Sequence, residues 1–260
     1  MFNPLHVPKE ILQNVLMGFR PVRWWSQRYH STGVNADPEM ARSVYELHRQ
    51  YVSVAGKDIL EIGPGHTLEV LAHAIGDGAN SCTAVDVVAY LAPPQAGGKS
   101  IRYFLYGGKT LPFDSEQFDV VWSHTAFEHL RYPDMTVREC FRVLRAGGRL
   151  VCLIDLGDHS FYGKGEPQPD LLFDCLKYPE WLWNLMRWNR SSYVNRLRKS
   201  EWIQRFKDAG FVLCSEVSTV SDAVARLYPN LPYLHRYRYD DAVTAVLVLC
   251  AEKPPIQVSR

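Results

Sequence analysis

The run Asp58-Ile-Leu-Glu-Ile-Gly-Pro-Gly65 constrains this chain most, because an apolar strand there ends in an acid and passes straight into a glycine turn. Glycine lets the backbone approach a ligand where a Cβ would collide, and the amides at the start of a following helix point at that ligand. The arrangement makes a floor for a nucleotide-like cofactor. A dinucleotide fingerprint, G-x-G-x-x-G, would put its third glycine at position 68, which holds Leu68. Hydride transfer from a dinucleotide is therefore disfavoured at once.

Further segments follow in order. Cys82-Thr-Ala-Val-Asp86 is a second apolar run ending in an acid, where a strand-tip carboxylate can accept hydrogen bonds from ribose hydroxyls. Leu111-Pro-Phe, the run Phe118–Ser123, Phe127-Glu-His-Leu130, Arg142-Val-Leu-Arg-Ala-Gly-Gly148 and the apolar run 150–154 complete the series. In this order and spacing the segments resemble the class I S-adenosylmethionine (SAM)-dependent methyltransferases, in particular the large family that includes the ubiquinone and menaquinone biosynthesis enzymes. The resemblance covers residues 57–155 closely and 200–211 and the final strand more loosely. Thr67 stands where those enzymes often carry a further glycine.

Hydrophobic periodicity predicts alternating elements. Ile11, Val15, Leu16 and Phe19 suggest an amphipathic helix, and Met40, Val44, Leu47 and Tyr51 a second, opened by Asp37-Pro38-Glu39. Strands are expected at 58–62, 81–86, 101–106, 118–123 and 149–155. Helices are expected on Leu68, Leu71, Ala72 and Ile75, and after Pro133 on Val137, Cys140, Phe141 and Leu144. Alternating β and α with crossover-length connections requires a mostly parallel sheet wrapped by helices, with ligands beyond the carboxyl ends of its strands. The expected fold is thus α/β, a Rossmann-like methyltransferase sheet with helices on both faces, an antiparallel last strand and a helical insertion. Residues 1–56 read as an N-terminal helical arm and 57–155 as the SAM-binding core. Residues 156–199 read as an acceptor lid, and 200–260 as the rest of the fold, with a helix from Ser200 to Gly210 and strands at 211–217 and 243–250.

Composition is that of an ordinary globular enzyme: 260 residues, 47% hydrophobic and 22% charged. A net charge of +1 gives no long-range pull toward nucleic acid or anionic membrane, so either partner would need a local patch. The six cysteines occur singly, Cys152, Cys214 and Cys250 within apolar runs, which reads as buried thiols in a reducing cytoplasm. No stretch reaches the roughly 20 apolar residues of a membrane span.

The resemblance implies SAM as cofactor and assigns its contacts. The backbone of Gly63, Pro64 and Gly65 passes under the methionine portion, Glu61 biases the site toward a cation, and Asp86 binds the ribose. Val87, Gly107, Gly108, Ser123 and His124 line the remainder. Relatives often carry an acid before Leu-Pro-Phe for the adenine amine; Tyr106-Gly107-Gly108 stands there instead, leaving adenine recognition to backbone, to Tyr106 or to another segment. Methyl transfer needs alignment and, for a hydroxyl acceptor, a base. Candidate bases are His159 oriented by Asp158, His124 and His129, with His30 a contributor from the arm; His129 also reads as a structural or cofactor-adjacent residue. No H-x-x-x-H or D-x-D spacing supports a metal. Arg187, Arg190 and Tyr193 in the insertion, with Tyr29 and His30, are the candidate acceptor contacts, since rings stack on sugar faces and guanidinium groups hold phosphate or carboxylate. The expected reaction is O-methylation of a sugar, glycan or other small hydroxyl compound, of the type found with bacterial polysaccharide synthesis. RNA methylation through a basic insertion, and a non-catalytic SAM-binding subunit, are the alternatives.

Overall fold

The computed structural model describes residues 6–29, 37–91, 101–158 and 171–255. Strands β1 (Asp58–Ile62), β2 (Ser81–Asp86), β3 (Arg102–Leu105), β4 (Phe118–His124), β5 (Leu144–Asp155), β6 (Val212–Val220) and β7 (Thr244–Glu252) form one sheet in the order β3-β2-β1-β4-β5-β7-β6. Pairings among β1 to β5 are parallel, and β7 runs antiparallel to both its neighbours.

Strand alternation divides the core between the two faces. Leu60, Ile62, Val121, Leu150 and Cys152 face one layer, closed by α5 (Pro133–Val143) and α7 (Lys199–Asp208). Ile59, Val120, Trp122 and Val151 face the other, closed by α3 (Pro38–Arg49) and α4 (Glu69–Gly76). The α3 face differs from the predicted one. Ala41, Val44, Tyr45 and His48 are buried while Met40 is exposed, because the sheet side chain awaiting cover is Trp122, onto which the His48 ring stacks at 5.3 Å. Cys214, expected to be buried, is exposed on the edge strand β6; the other cysteines are buried and all are free.

A third apolar cluster lies apart from the sheet. Phe173, Leu176, α6 (Glu180–Arg187) with Trp183 and Met186, Tyr193 and Val194 pack against Val224 of α8 (Asp222–Leu227), Leu234, and Ala242 and Val243 of α9 (Tyr239–Val243). The cap is therefore made of two excursions, the insertion after β5 and the segment between β6 and β7, and the sequence reading identified only the first. Ser221 announces the second by accepting a hydrogen bond from the Val224 amide, as a helix N-cap does.

Buried Arg198 joins cap to sheet. Its guanidinium donates to the carbonyls of Asp241 at 2.8 Å, Leu156 at 2.8 Å and Thr244 at 2.6 Å. The α7 start differs accordingly from the expected Ser200 cap: Glu201 accepts from the Arg198 amide at 2.9 Å, and Ser200 donates from its amide and hydroxyl to Asp241.

The N-terminal arm comprises α1 (His6–Gly18) and α2 (Arg20–Tyr29). The face of α1 turned to the cap is the polar one. Glu10 and Asn14 are buried and Ile11 packs inward, whereas Val15, Leu16 and Phe19, predicted to be the buried stripe, point outward. The cap offers Arg187, Arg190 and backbone groups there, and these call for polar partners. Among the described residues no helix is long and apolar enough to cross a membrane.

Replacing Arg198 by Met keeps volume but strands three buried carbonyls, so unfolding free energy should fall by about 3–5 kcal/mol. Denaturant titration measures it, and a change below 1 kcal/mol would show that Arg198 does not hold the cap.

Candidate active site

The glycine turn after β1 follows from backbone geometry. Gly63 has φ 74° and donates its amide to the Val85 carbonyl at 2.9 Å, tying the tips of β1 and β2; a Cβ there would sit 2.5 Å from that of Ala126. Gly65, at φ 67°, has nothing within 4 Å of where its Cβ would be, so this backbone is open to a ligand. Thr67 has its own use: its hydroxyl accepts the Glu69 amide at 3.1 Å at the entry to α4.

Two carboxylates converge at this turn. Asp86 Oδ1 accepts from the amides of Val87 at 2.7 Å and Val88 at 3.1 Å, while Oδ2 receives only the longer Gly65 contact at 3.4 Å. Oδ2 is thus the oxygen with capacity left for a ribose hydroxyl. Burial pushes the Asp86 pKa up to about 6, against the downward pull of those amides. Glu61 is buried as well, its Oε2 has no hydrogen-bond partner among the described residues, and burial with the Asp86 charge pushes its pKa up to about 8. A buried carboxylate without a partner fits a cationic ligand. Glycine backbone, a ribose acceptor and an orphaned acid together fit SAM, whose sulfonium methyl is the electrophile.

Aromatic groups lie near the glycine turn. His66 and Tyr90 rings lie 4.5 Å apart, and the Tyr103 hydroxyl donates to the Val88 carbonyl at 3.0 Å. Gly108, at φ 77°, lies beside exposed Val87, its Cβ position 3.5 Å from a Val87 methyl, and Gly107 is open. Tyr106, a candidate for adenine, instead packs its ring against the sheet core.

Beyond β4 the chain enters a strained turn: Thr125 has φ 49° and is held by its amide to Leu153 O at 2.9 Å. The sequence reading missed this residue, since nothing in Thr-Ala announces a left-handed conformation. His124 precedes it with Nδ1 buried and unpartnered, and burial lowers its pKa to about 4, leaving a neutral imidazole at physiological pH. Ser123, expected to line the pocket, is fully buried and donates its hydroxyl to Ile62 O at 2.8 Å, stapling β4 to β1. His129 Nδ1 lies 2.6 Å from the Tyr193 carbonyl, joining the post-β4 segment to the cap.

The acceptor assignments fare differently. Arg187 pairs with Glu10 at 3.0 Å and Arg190 with the same carboxylate and with Gln13 at 2.7 Å, so both guanidinium groups are engaged inside the fold. Tyr193 is buried under the Arg131 guanidinium, 4.4 Å from its ring centroid. Asp158, expected to face an acceptor space, is buried with its amide bonded to Leu172 O at 2.6 Å. The correction has one cause: these polar groups found partners within the chain, which residue type alone does not reveal. His30, His159 and the side chain of Tyr29 lie outside the described residues.

A family profile described as a methyltransferase domain matches residues 60–152. The ubiquinone biosynthesis O-methyltransferase of Pseudomonas fluorescens strain Pf0-1 is 31% identical over 105 residues, which are 38% of this chain and 44% of that protein. Its counterpart from strain Pf-5 is 24% identical over 187 residues, 70% of this chain and 75% of that one. The chain thus spans under half of the first relative and three quarters of the second. A SAM-dependent methyltransferase from Mesorhizobium loti superposes with a TM-score of 0.54 at 18% identity, covering 85% of this chain and all of that one, 100%. The geranyl diphosphate C-methyltransferase of Streptomyces coelicolor gives 0.53 at 14% identity, covering 83% and 80%.

Two measurements follow from this geometry. Gly63→Ala forces a methyl against Ala126 at positive φ, and SAM affinity should drop at least tenfold by calorimetry, about 1.4 kcal/mol or more. Because Glu61 holds its proton when folded, its contribution to cofactor-free stability is complete below about pH 4.5 and is lost as pH rises through about 8. Glu61→Gln should therefore flatten the decline between about pH 6 and 8, and an unchanged profile would remove Glu61 as its source.

Proposed function

We propose that this chain, which belongs to the class I SAM-dependent methyltransferases, transfers the cofactor methyl to a hydroxyl of a small acceptor held between the strand tips and the cap. The observation that carries the reading is the cap itself. It is a separately packed apolar body, anchored by Arg198 beyond the tips of β5 and β7, and roofs the side of the sheet where the cofactor turn lies. A roofed site suits a small molecule. The O-methyltransferases among the relatives support oxygen as the nucleophile.

In this scheme residues 57–155 hold the cofactor and the described cap residues, 171–199 with 222–243, cover the acceptor. Asp86 Oδ2 takes ribose, Glu61 balances cationic charge, and the backbone at Gly63–Gly65 fixes the methionine end. Bond-making is a direct displacement, so the chain's share is alignment, exclusion of water and removal of the hydroxyl proton. His124 is the base we assign. It stands at the β4 tip and its ring is neutral near pH 7. A sugar or glycan remains within the proposed acceptor class, without the arginine contacts first expected for it. RNA loses its main support, because the cap arginines are spent on Glu10 and on backbone carbonyls.

A screen of sugars, nucleotide sugars, phenols and RNA with labelled SAM tests the acceptor, and RNA methylation with every small hydroxyl inert would overturn the reading. With the acceptor found, His124→Ala should reduce turnover by roughly 10²-fold or more and change SAM affinity little. Full turnover in His124→Ala together with loss in His159→Ala would move the proton acceptor to His159.

A further inference from the structure

The arm is docked inside out. The cap-facing side of α1 is polar: Arg187 and Arg190 bind Glu10, Asn14 donates to Leu185 O at 2.9 Å, and the Asn189 amide donates to Asn14 Oδ1 at 2.7 Å. The side turned away is apolar. Leu12 and Phe19 are 60% and 59% exposed, Val15 and Leu16 lie on the same stripe, and α2 adds exposed Val22, Trp24 and Trp25, the two tryptophans 62% and 54% exposed. A surface helix normally buries its apolar stripe, so an exposed one marks an interaction face.

The charge on this face selects the occupant. Lys9 and Arg20 are exposed and Arg23 is half-buried beside the stripe, while residues 11–29 contain no Asp or Glu, and Glu10 is buried under its arginines. We propose that the α1–α2 face binds the surface of an anionic lipid bilayer, with Leu16, Phe19 and Trp24 entering the headgroup boundary and Arg20 and Lys9 meeting lipid phosphates. A second copy apposed through the same face would set its unopposed cations against each other. Leu12, Val15, Leu16 and Val22 present aliphatic surface, which the hydrocarbon at the headgroup boundary accepts. Tryptophan suits the boundary because its ring is apolar and its N–H polar. With a net charge of +1 for the whole chain, attraction is local to this patch.

The test is flotation of the full chain with vesicles of phosphatidylcholine alone, or of phosphatidylcholine with 30% phosphatidylglycerol (about 0.15 M salt, where the Debye length is about 8 Å). Retention is expected on the anionic vesicles, weakened by high salt. Arg20→Glu should lower it at least five-fold, and Phe19→Ser with Leu16→Ser ten-fold or more. Val217→Ser, an exposed apolar change on β6, should leave it unchanged. Unaltered thermal unfolding and SAM affinity in the variants establish that they are folded. Absence of binding to either vesicle, equal binding to both, or equal loss in Val217→Ser would overturn the proposal. A concentration-dependent dimer abolished by Leu16→Ser without vesicle binding would assign the face to a second copy, and RNA retention without vesicle binding would assign it to nucleic acid.

Discussion

The architecture above the sheet depends on guanidinium groups that donate to main-chain carbonyls. The cap contains short helices joined by irregular chain, and irregular chain leaves carbonyl oxygens without ladder partners. Arginine, with five donors and no acceptor, is suited to collect them. Arg198 gathers carbonyls from Leu156, Asp241 and Thr244; Arg196, itself at φ 63°, gathers those of Cys175 and Tyr178; Arg131 gathers those of His129, Trp188 and Arg190. Each links segments distant in sequence, so the cap's position over the strand tips is set by these fasteners as much as by its own apolar cluster.

That use of arginine explains where reading the sequence worked and where it did not. The sheet is legible because its central strands are buried on both faces and read as short continuous apolar runs, as Val120-Val-Trp122 does. The glycine turn is legible because Gly63 meets a backbone requirement no other residue satisfies comfortably. Arginines and aromatics between 178 and 198 advertise no such requirement: a guanidinium satisfied by Tyr178 O and one awaiting a phosphate look alike in sequence. The same ambiguity misplaced α1, whose Ile11-Val15-Leu16-Phe19 stripe has a helical period and yet leaves three of its members in solvent. Periodicity states that a helix has two faces; which face the fold consumes depends on what it meets.

The cofactor end of the site is built on a tension between burial and charge. Glu61 and Asp86 are both nearly removed from water, and the Asp86 charge raises the cost of ionising Glu61 further. Asp86 offsets part of that cost with the amides of Val87 and Val88, whereas Oε2 of Glu61 has no such support. A site with one satisfied and one unsatisfied carboxylate is asymmetric. It offers ribose a fixed acceptor and a cation an unmet charge, and a sulfonium nucleoside carries both features side by side, its cationic sulfur being bonded to the ribose 5′-carbon.

The arm is coupled to this site through the same economy of charge. Glu10 pairs with both Arg187 and Arg190 from a buried position, so lifting α1 away would break a shared charge cluster as well as the Asn14 bonds to Leu185 and Asn189. These contacts fasten α1 to the cap. Arg23 of α2 lies close enough to Arg131 for their charges to repel, and Arg131 in turn bears electrostatically on Tyr90, whose ring meets His66 at the cofactor turn. A surface that engages the outer face of the arm thus engages a body fixed to the cap, at the side of the molecule where the strand tips open.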